Sequence, residues 1–387
     1  MGRHDSNSSR RQFLAALAGT GGAMLLAPNH LLAAQASPPE PNPPDIDPRV
    51  EEIVSKTIAV DMHNHVAIQS IRLPAVKNPA DAKPDPDIDL AGEIKRSGFS
   101  ALCQTYDLDH DWNRTTVEPG VYEKYNIQAL AFEDRLLARN NMRRALTLKD
   151  LQTAHSQHQP TIIQSAEGAH FVEGRLERVE EVYKRGLRLL QLLHEADDLV
   201  SPLGDVYTSD NPHLGGLTPF GAQVIKECNR LGIIVDMAHA TAETVKGALK
   251  ASTKPLLVSH TGLMKETTNA DMRRRLISKE SALEVAAAGG VVGVWWRLSG
   301  SVKEYVAGVR SMVDAIGVDH VGIGTDTYLI EPNGRPGTDR TWPDLNGRFF
   351  YAVAGEMLKQ GFAPNEIGKI GGGNFCRVFG KVTAGHA

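Results

Sequence analysis

Short apolar runs recur along the chain at 58–63, 99–105, 161–166, 187–193, 232–237, 255–260, 291–296 and 320–325. Within them the apolar residues are consecutive rather than alternate, as in Ile233-Ile234-Val235 and Leu256-Leu257-Val258. A strand apolar on both faces is covered on both, which is the state of strands in a parallel sheet wrapped by helices. Between the runs lie amphipathic, helix-period stretches at 120–141, 174–185, 217–231, 241–250, 278–288 and 301–316. Thr241, followed by Glu243 and Thr244, supplies a helix start after the fifth run. Eight strand runs separated by helix patterns therefore alternate along the chain, with no internal sequence repeat. This predicts an α/β protein of the (β/α)8 TIM-barrel type rather than an open sheet. Segments 66–98, rich in Pro and Asp, and 327–345 carry no clear period and are expected to build the rim of the barrel mouth.

The N-terminal end does not belong to this pattern. Ser9-Arg10-Arg11-Gln12-Phe13-Leu14 is a twin-arginine pattern, an apolar Gly- and Ala-rich stretch follows it to Leu32, and Ala34-Gln35-Ala36 offers a small-x-small cleavage site. Residues 1–36 are expected to be a twin-arginine signal peptide, which places the mature protein in the periplasm or outside the cell. Gly19, Thr20, Gly21, Gly22 and Pro28 interrupt the apolar stretch, so no stable membrane span is expected after cleavage. Residues 37–48 read as a Pro-rich linker, leaving 49–382 as a single metal-dependent hydrolase barrel domain. Removing 1–36 takes away Arg3, Arg10, Arg11 and Asp5, a net +2, so the formal charge moves from −4 to −6. With interspersed charges and no long basic run, nucleic acid is not an expected partner. Cys103, Cys228 and Cys376 lie in apolar patterns without close spacing, and buried thiols are expected.

The chemistry sits at or just past the C-terminal ends of the strand runs, where barrel active sites are built. His63 and His65 close the first run, and side chains two apart on a strand share a face with each other and with Asp61. Two imidazoles at that spacing can chelate one divalent cation. Glu167 ends the third run, and a carboxylate on the barrel axis needs compensating charge. Bridging two cations supplies it; a salt bridge to an Arg is the plainer alternative. His239 and His260 end the neighbouring fifth and sixth runs and can hold a second cation. Nitrogen and carboxylate ligands without Cys suit Zn²⁺, with Mn²⁺, Co²⁺ or Fe²⁺ as alternatives. Asp326 ends the eighth run. Beside a pair of cations roughly 3.5–4 Å apart, a carboxylate there can take a proton from water and deliver it to a leaving group. His194, after the fourth run, can donate a hydrogen bond to the oxyanion of a tetrahedral intermediate.

Several ordered blocks then match a known family. They are Glu167-Gly168-Ala169-His170, Gly186 to His194, Gly216-Leu217-Thr218-Pro219-Phe220-Gly221, Leu231 to His239, Val258-Ser259-His260, Gly317 to Asp326, and Gly372 to Phe379. Over roughly residues 50–380 the chain resembles the membrane dipeptidase (renal dipeptidase) family of zinc peptidases. The resemblance implies a two-zinc barrel that hydrolyses the amide bond of dipeptides with a metal-bound hydroxide. It gives the bridging role to Glu167 and one zinc to His63 and His65. The other zinc goes to His239 and His260, substrate polarisation to His194, and acid/base work to Asp326. Members of the family often form dimers, so a homodimer is the implied assembly, although no interface pattern marks this chain.

Two positions depart from the family. Its first-strand pair is usually His-x-Asp, whereas here it is His63-Asn64-His65, the form common in the wider amidohydrolase superfamily. The family also carries an Arg just before an Asn after the sixth-strand His, to grip the dipeptide's terminal carboxylate. Here Thr268 precedes Asn269. Losing a guanidinium removes a directional carboxylate anchor that Thr cannot reproduce. Arg297, just after Trp295 and Trp296, is the expected substitute, with Trp296 as an aromatic wall and Asn269 as a further substrate contact. The leading reading is an exported zinc-dependent dipeptidase acting on a small-molecule substrate. A second keeps the machinery but moves the substrate to N-acyl amino acids, lactones or other amides and esters. A third is an inactive exported binding relative, against which the complete ligand set argues.

Overall fold

A computed structural model of the chain describes residues 46–66, 88–108, 120–195, 201–208, 214–330, 337–345 and 347–385. Eight parallel strands close a barrel among these residues: β1 (Val60–Asn64), β2 (Ala101–Asp107), β3 (Thr161–Glu167), β4 (Leu187–Gln191), β5 (Ile234–Asp236), β6 (Leu257–Thr261), β7 (Val291–Val294) and β8 (Val321–Ile323). They pair in chain order, and β8 returns to β1 through Asp61 and Ile323. The longest ladder, β2 on β3, runs from Ala101 against Thr161 to Asp107 against Glu167.

Alternation of side chains along each strand separates two apolar regions. Val60, Met62, Ala101, Cys103, Ile163, Leu189, Ile234, Leu257 and Val291 fill the barrel interior with Phe375 and Phe379 of the C-terminal helix Asn374–Thr383. That helix lies against the starts of the strands, and Asn374 Nδ2 donates to Val318 O and Val321 O ahead of and at the start of β8. One end of the barrel is thus packed with apolar side chains, and the opposite end is left for chemistry. Leu102, Tyr106, Ile162, Leu190 and Val235 face outward into a shell formed with the surrounding helices.

Helix starts follow their capping residues. Thr218, Thr241, Ser278 and Ser301 each accept a hydrogen bond from the backbone N–H three residues on, opening helices Pro219–Leu231, Ala242–Ala251, Lys279–Ala287 and Val302–Ile316. The helix expected at 120–141 is interrupted by a π-helical segment, Lys124–Ala129, which has Tyr125 buried and Ile127 exposed. The stretch 66–98 is not wholly irregular. Asp89 accepts from Gly92 N at 2.9 Å and starts a helix, Leu90–Ser97, whose Leu90 and Ile94 are buried. The Pro-rich span ends where Asp47 caps helix Pro48–Lys56, with Pro48 in the first turn where its missing N–H costs nothing. The expected signal peptide, most of the linker, positions 67–87 of the rim and positions 331–336 of the second rim loop lie outside the described residues. No helix among the described residues is long and apolar enough to cross a membrane.

Candidate metal centre

Glu167 closes β3, and Gly168 follows at φ +87°, a conformation that favours a residue without Cβ. The two oxygens of the carboxylate face different histidines. Oε2 lies 3.4 Å from His63 Nε2 and 3.7 Å from His65 Nε2. Oε1 lies 3.4 Å from His239 Nε2, 3.8 Å from His260 Nε2 and 3.5 Å from His194 Nε2. Asp326 Oδ1 adds to the first group, 3.2 Å from His65 Nε2 and 3.9 Å from His63 Nε2. The donor atoms of His63, His65 and Glu167 fall within 4.8 Å of one another, and so do those of Glu167, His239 and His260.

Hydrogen bonds fix these side chains from behind. His65 Nδ1 meets the carbonyl of Thr105 at 3.3 Å. A carbonyl only accepts, so the proton sits on Nδ1 and Nε2 keeps its lone pair for the centre. Ser259 Oγ lies 2.9 Å from His260 Nδ1 and 3.4 Å from His63 Nδ1, tying the two groups together. Beneath Ser259, buried Asp236 accepts from Ser259 N and Ala238 N. Buried Asp61 accepts from Thr325 N at 2.8 Å, Thr325 Oγ1 at 2.6 Å, Asn64 Nδ2 at 3.0 Å and His63 N at 3.3 Å. This clasp joins β1 to the segment after β8, where Asp326 N donates to His63 O at 2.9 Å. His239 and Asp326 sit at φ 69° and 56°. Non-glycine residues rarely adopt that region, and such strain gathers at functional sites.

The electrostatics match a cation-binding centre. Burial pushes His239 and His260 well below the ordinary histidine range, and the charges of Arg275 and His63 respectively reinforce it. Both are therefore neutral, the form that ligates metals. Burial pushes Glu167 up, but His194, His63 and His65 together outweigh it and hold the carboxylate well below its usual range. Asp326 is likewise lowered, because His260, His65 and Arg275 outweigh burial. For His63, burial pushes down, and Glu167 reverses the sign and raises it. His63 Nε2 is buried without a hydrogen bond. An orphaned ring nitrogen beside a shared carboxylate is costly in an apoprotein, and it is what a divalent cation would satisfy. The donor set of imidazoles and carboxylates fits a divalent cation.

The expected substrate contacts fare differently. Trp296 is half-buried and its Nε1–H donates to the backbone carbonyl of Asp326 at 3.3 Å, which puts it at the mouth. Asn269 is exposed, and its Oδ1 accepts from Met272 N at 3.1 Å, capping the short helix Ala270–Arg274. Arg297 is exposed, with its guanidinium 6.0 Å from the centre of the Trp296 ring. The guanidinium that joins the cluster belongs to Arg275. Its Nη2 lies 3.1 Å from His239 Nε2 and 3.5 Å from Asp326 Oδ2, and its Cζ stands 4.3 Å from the centre of the buried Trp295 ring. Its Nη1 is 3.7 Å from Glu195, which accepts from the hydroxyl of Tyr207 at 2.9 Å. Sequence reasoning missed Arg275, Glu195 and Tyr207. The only signal for the first was the run Arg273-Arg274-Arg275, which does not say which member turns inward.

The model of the membrane dipeptidase family (Peptidase family M19) matches residues 48–386. Dipeptidase verJ of Clonostachys rogersoniana is 27% identical over 225 residues, 56% of this chain and 54% of that protein. The chain thus spans about half the length of this curated relative. Among solved structures, an amidohydrolase from Pseudomonas aeruginosa is similar with a TM-score of 0.68 at 21% identity, over 86% of this chain and 98% of its own. A metallopeptidase from Rhodobacter sphaeroides, liganded with a phosphinate mimic of the dipeptide L-Ala-D-Ala, is similar with a TM-score of 0.63 at 20% identity, over 84% and 99%. At such identities these two likenesses speak for the fold.

Proposed function

The chain belongs to the membrane dipeptidase family, Peptidase family M19, and on that premise we propose that it is an exported, zinc-dependent dipeptidase. The observation that carries the reading is the division of Glu167: one carboxylate oxygen faces His63 and His65, the other His239 and His260. In this reading His63, His65 and Glu167 would hold one Zn²⁺, and His239, His260 and Glu167 would hold the other. Bound there, a pair of divalent cations supplies Lewis-acid polarisation of a carbonyl and makes water a stronger acid near neutral pH.

The protein's own groups do the rest. Asp326, whose carboxyl is held below its usual range, accepts a proton from the attacking water and passes it to the leaving amine. His194 lies at the mouth with Nε2 3.5 Å from Glu167 and Nδ1 3.7 Å from Asp107, placed to donate to the developing oxyanion. Trp295 and Trp296 exclude water on one side. Arg275, with a side chain 19% exposed and backed by Trp295, takes the carboxylate-gripping role that the sequence suggested for Arg297. Residues 1–36 serve as the export signal and 49–382 as the catalytic barrel.

Purified, metal-loaded protein assayed against dipeptides, their C-terminal amides, N-acyl amino acids and lactones tests this. A charge-assisted contact is worth about 1.5–3 kcal/mol, or roughly 10–150-fold. Arg275→Met is therefore expected to lower kcat/KM on free dipeptides by that factor and leave the amides nearly unchanged. Preference for lactones, or equal loss on acids and amides, contradicts the reading. Preference for N-acyl amino acids keeps the carboxylate anchor and replaces the dipeptide.

A further inference from the structure

The two halves of the centre are not electrically alike. The His63–His65 side faces two carboxylates, Glu167 through Oε2 and Asp326 through Oδ1. The His239–His260 side also has carboxylates near it, Glu167 Oε1, Asp326 close to His260 and Glu195 close to His239, but it alone has a guanidinium in contact with one of its ring nitrogens. Arg275 has donors and no acceptor, so at 3.1 Å its Nη2–H is directed at the Nε2 lone pair of His239, the same atom that His260 Nε2 approaches at 2.9 Å. A cation ligated by His239 Nε2 needs the same lone pair, and it is repelled by the same charge. Arg275 also has two carboxylates in reach, Asp326 Oδ2 3.5 Å from Nη2 and Glu195 3.7 Å from Nη1.

We propose that Arg275 competes with the cation on the His239–His260 side, so the two metal positions differ widely in affinity and an anion that draws Arg275 away tightens the weaker one. The inference rests on the two-cation reading above and adds a coupling that no general two-metal scheme requires. Linkage makes the effect reciprocal: cation at the second position frees the guanidinium for a carboxylate, and carboxylate on the guanidinium favours the cation. A substrate acid thereby promotes completion of the centre that will hydrolyse it. Amides and esters without the acid gain no such help.

The test is metal binding rather than turnover. Chelator-stripped protein is titrated with Zn²⁺ by calorimetry, and stoichiometry is checked by elemental analysis after dialysis at fixed free Zn²⁺. Wild type is expected to take one equivalent tightly and a second at least ~100-fold more weakly. Arg275→Met, which keeps apolar contact with Trp295, is expected to bring the constants to within ~10-fold. The exposed neighbour Arg273→Met should leave both unchanged. Millimolar N-acetylglycine should strengthen the second site in wild type by ~10-fold or more and have no effect in Arg275→Met.

Two equal sites in wild type, an unmoved second constant in Arg275→Met, or an equal shift in Arg273→Met overturns the proposal. The N-acetylglycine measurement on wild type needs no variant, and absence of tightening there also overturns it. These constants do not depend on which bond is hydrolysed. A protein with unequal sites but no dipeptidase activity keeps this inference and loses the functional reading.

Discussion

Asp61 supports the centre without being among its ligands, and its removal has a size that follows from its partners. Asp61→Ala deletes the acceptor of Thr325 N at 2.8 Å and His63 N at 3.3 Å, both buried backbone donors. The two side-chain donors retain other partners: Thr325 Oγ1 has Thr327 Oγ1 at 2.7 Å, and Asn64 Nδ2 has Thr338 Oγ1 at 3.0 Å. The loss is therefore dominated by two unsatisfied N–H groups at about 1–3 kcal/mol each, the longer bond counting for less. We expect Asp61→Ala to cost about 2–5 kcal/mol. Asp61→Asn, which preserves one acceptor oxygen for Thr325 N, should cost about half as much. Urea denaturation in the presence of chelator measures this as a shift in midpoint at constant slope. The same clasp positions Asp326 N on His63 O, so zinc retention should fall in the same order. If Asp61→Ala lies within 1 kcal/mol of wild type, or Asp61→Asn is as damaging as Asp61→Ala, the clasp is not what holds β1 to β8.

Two further outcomes follow from packing and burial. A Cβ at Gly324 would lie 1.7 Å from the carbonyl oxygen of Ser259 and 3.5 Å from His260 Cα. Gly324→Ala should therefore destabilise by ~3 kcal/mol or more and lower metal content, read by thermal melting and elemental analysis. Far from the centre, Glu133 is fully buried against Arg144 at 2.9 Å, and burial lifts its carboxyl to about 7 despite that partner. Between its ordinary value of 4.5 and about 7 the folded state binds more proton than the unfolded one. Stability should thus fall as pH rises through that window, by up to roughly 3 kcal/mol. Denaturation across pH should show that slope in wild type and not in Glu133→Gln; a slope unchanged by the substitution refutes the assignment.

The barrel was legible because its strands announce themselves. Buried on both faces, they read as consecutive apolar residues, and each of the eight runs overlaps a strand, with β1, β2, β3 and β6 extending one or two residues past the run. The cluster of candidate ligands was legible for a related reason: strand ends converge in a barrel, so His63, Glu167, His239 and His260 needed only their positions to be brought together. Strand limits were less certain. β4 stops at Gln191 and β7 at Val294, although Leu192 N and Trp295 N still donate to Asp236 O and Thr261 O of the neighbouring strands and both side chains are buried. The helix Leu90–Ser97 was hidden by Gly and polar residues that leave only Leu90 and Ile94 to mark its buried face. Arg275 was out of reach for a different reason. The chain leaves β6, caps a short helix at Asn269 and returns, and Ile277 N donates to Gly262 O at 3.0 Å. That return sets which of three consecutive arginines faces the mouth, and no periodicity records it. Arg297 had proximity to β7 in its favour, but the chain turns there into a short 3₁₀ segment, Trp296–Leu298, that leaves its side chain exposed.

The central claim is that Glu167 is shared between two cations. Its most direct test is the metal-to-protein ratio of wild type and Glu167→Gln, measured by elemental analysis at saturating Zn²⁺ together with hydrolysis of a free dipeptide. The account predicts two equivalents and turnover in wild type, and loss of both cations and of turnover in the variant, since an amide removes the charge facing both histidine pairs. A Glu167→Gln protein that retains two equivalents and hydrolyses at the wild-type rate would contradict it.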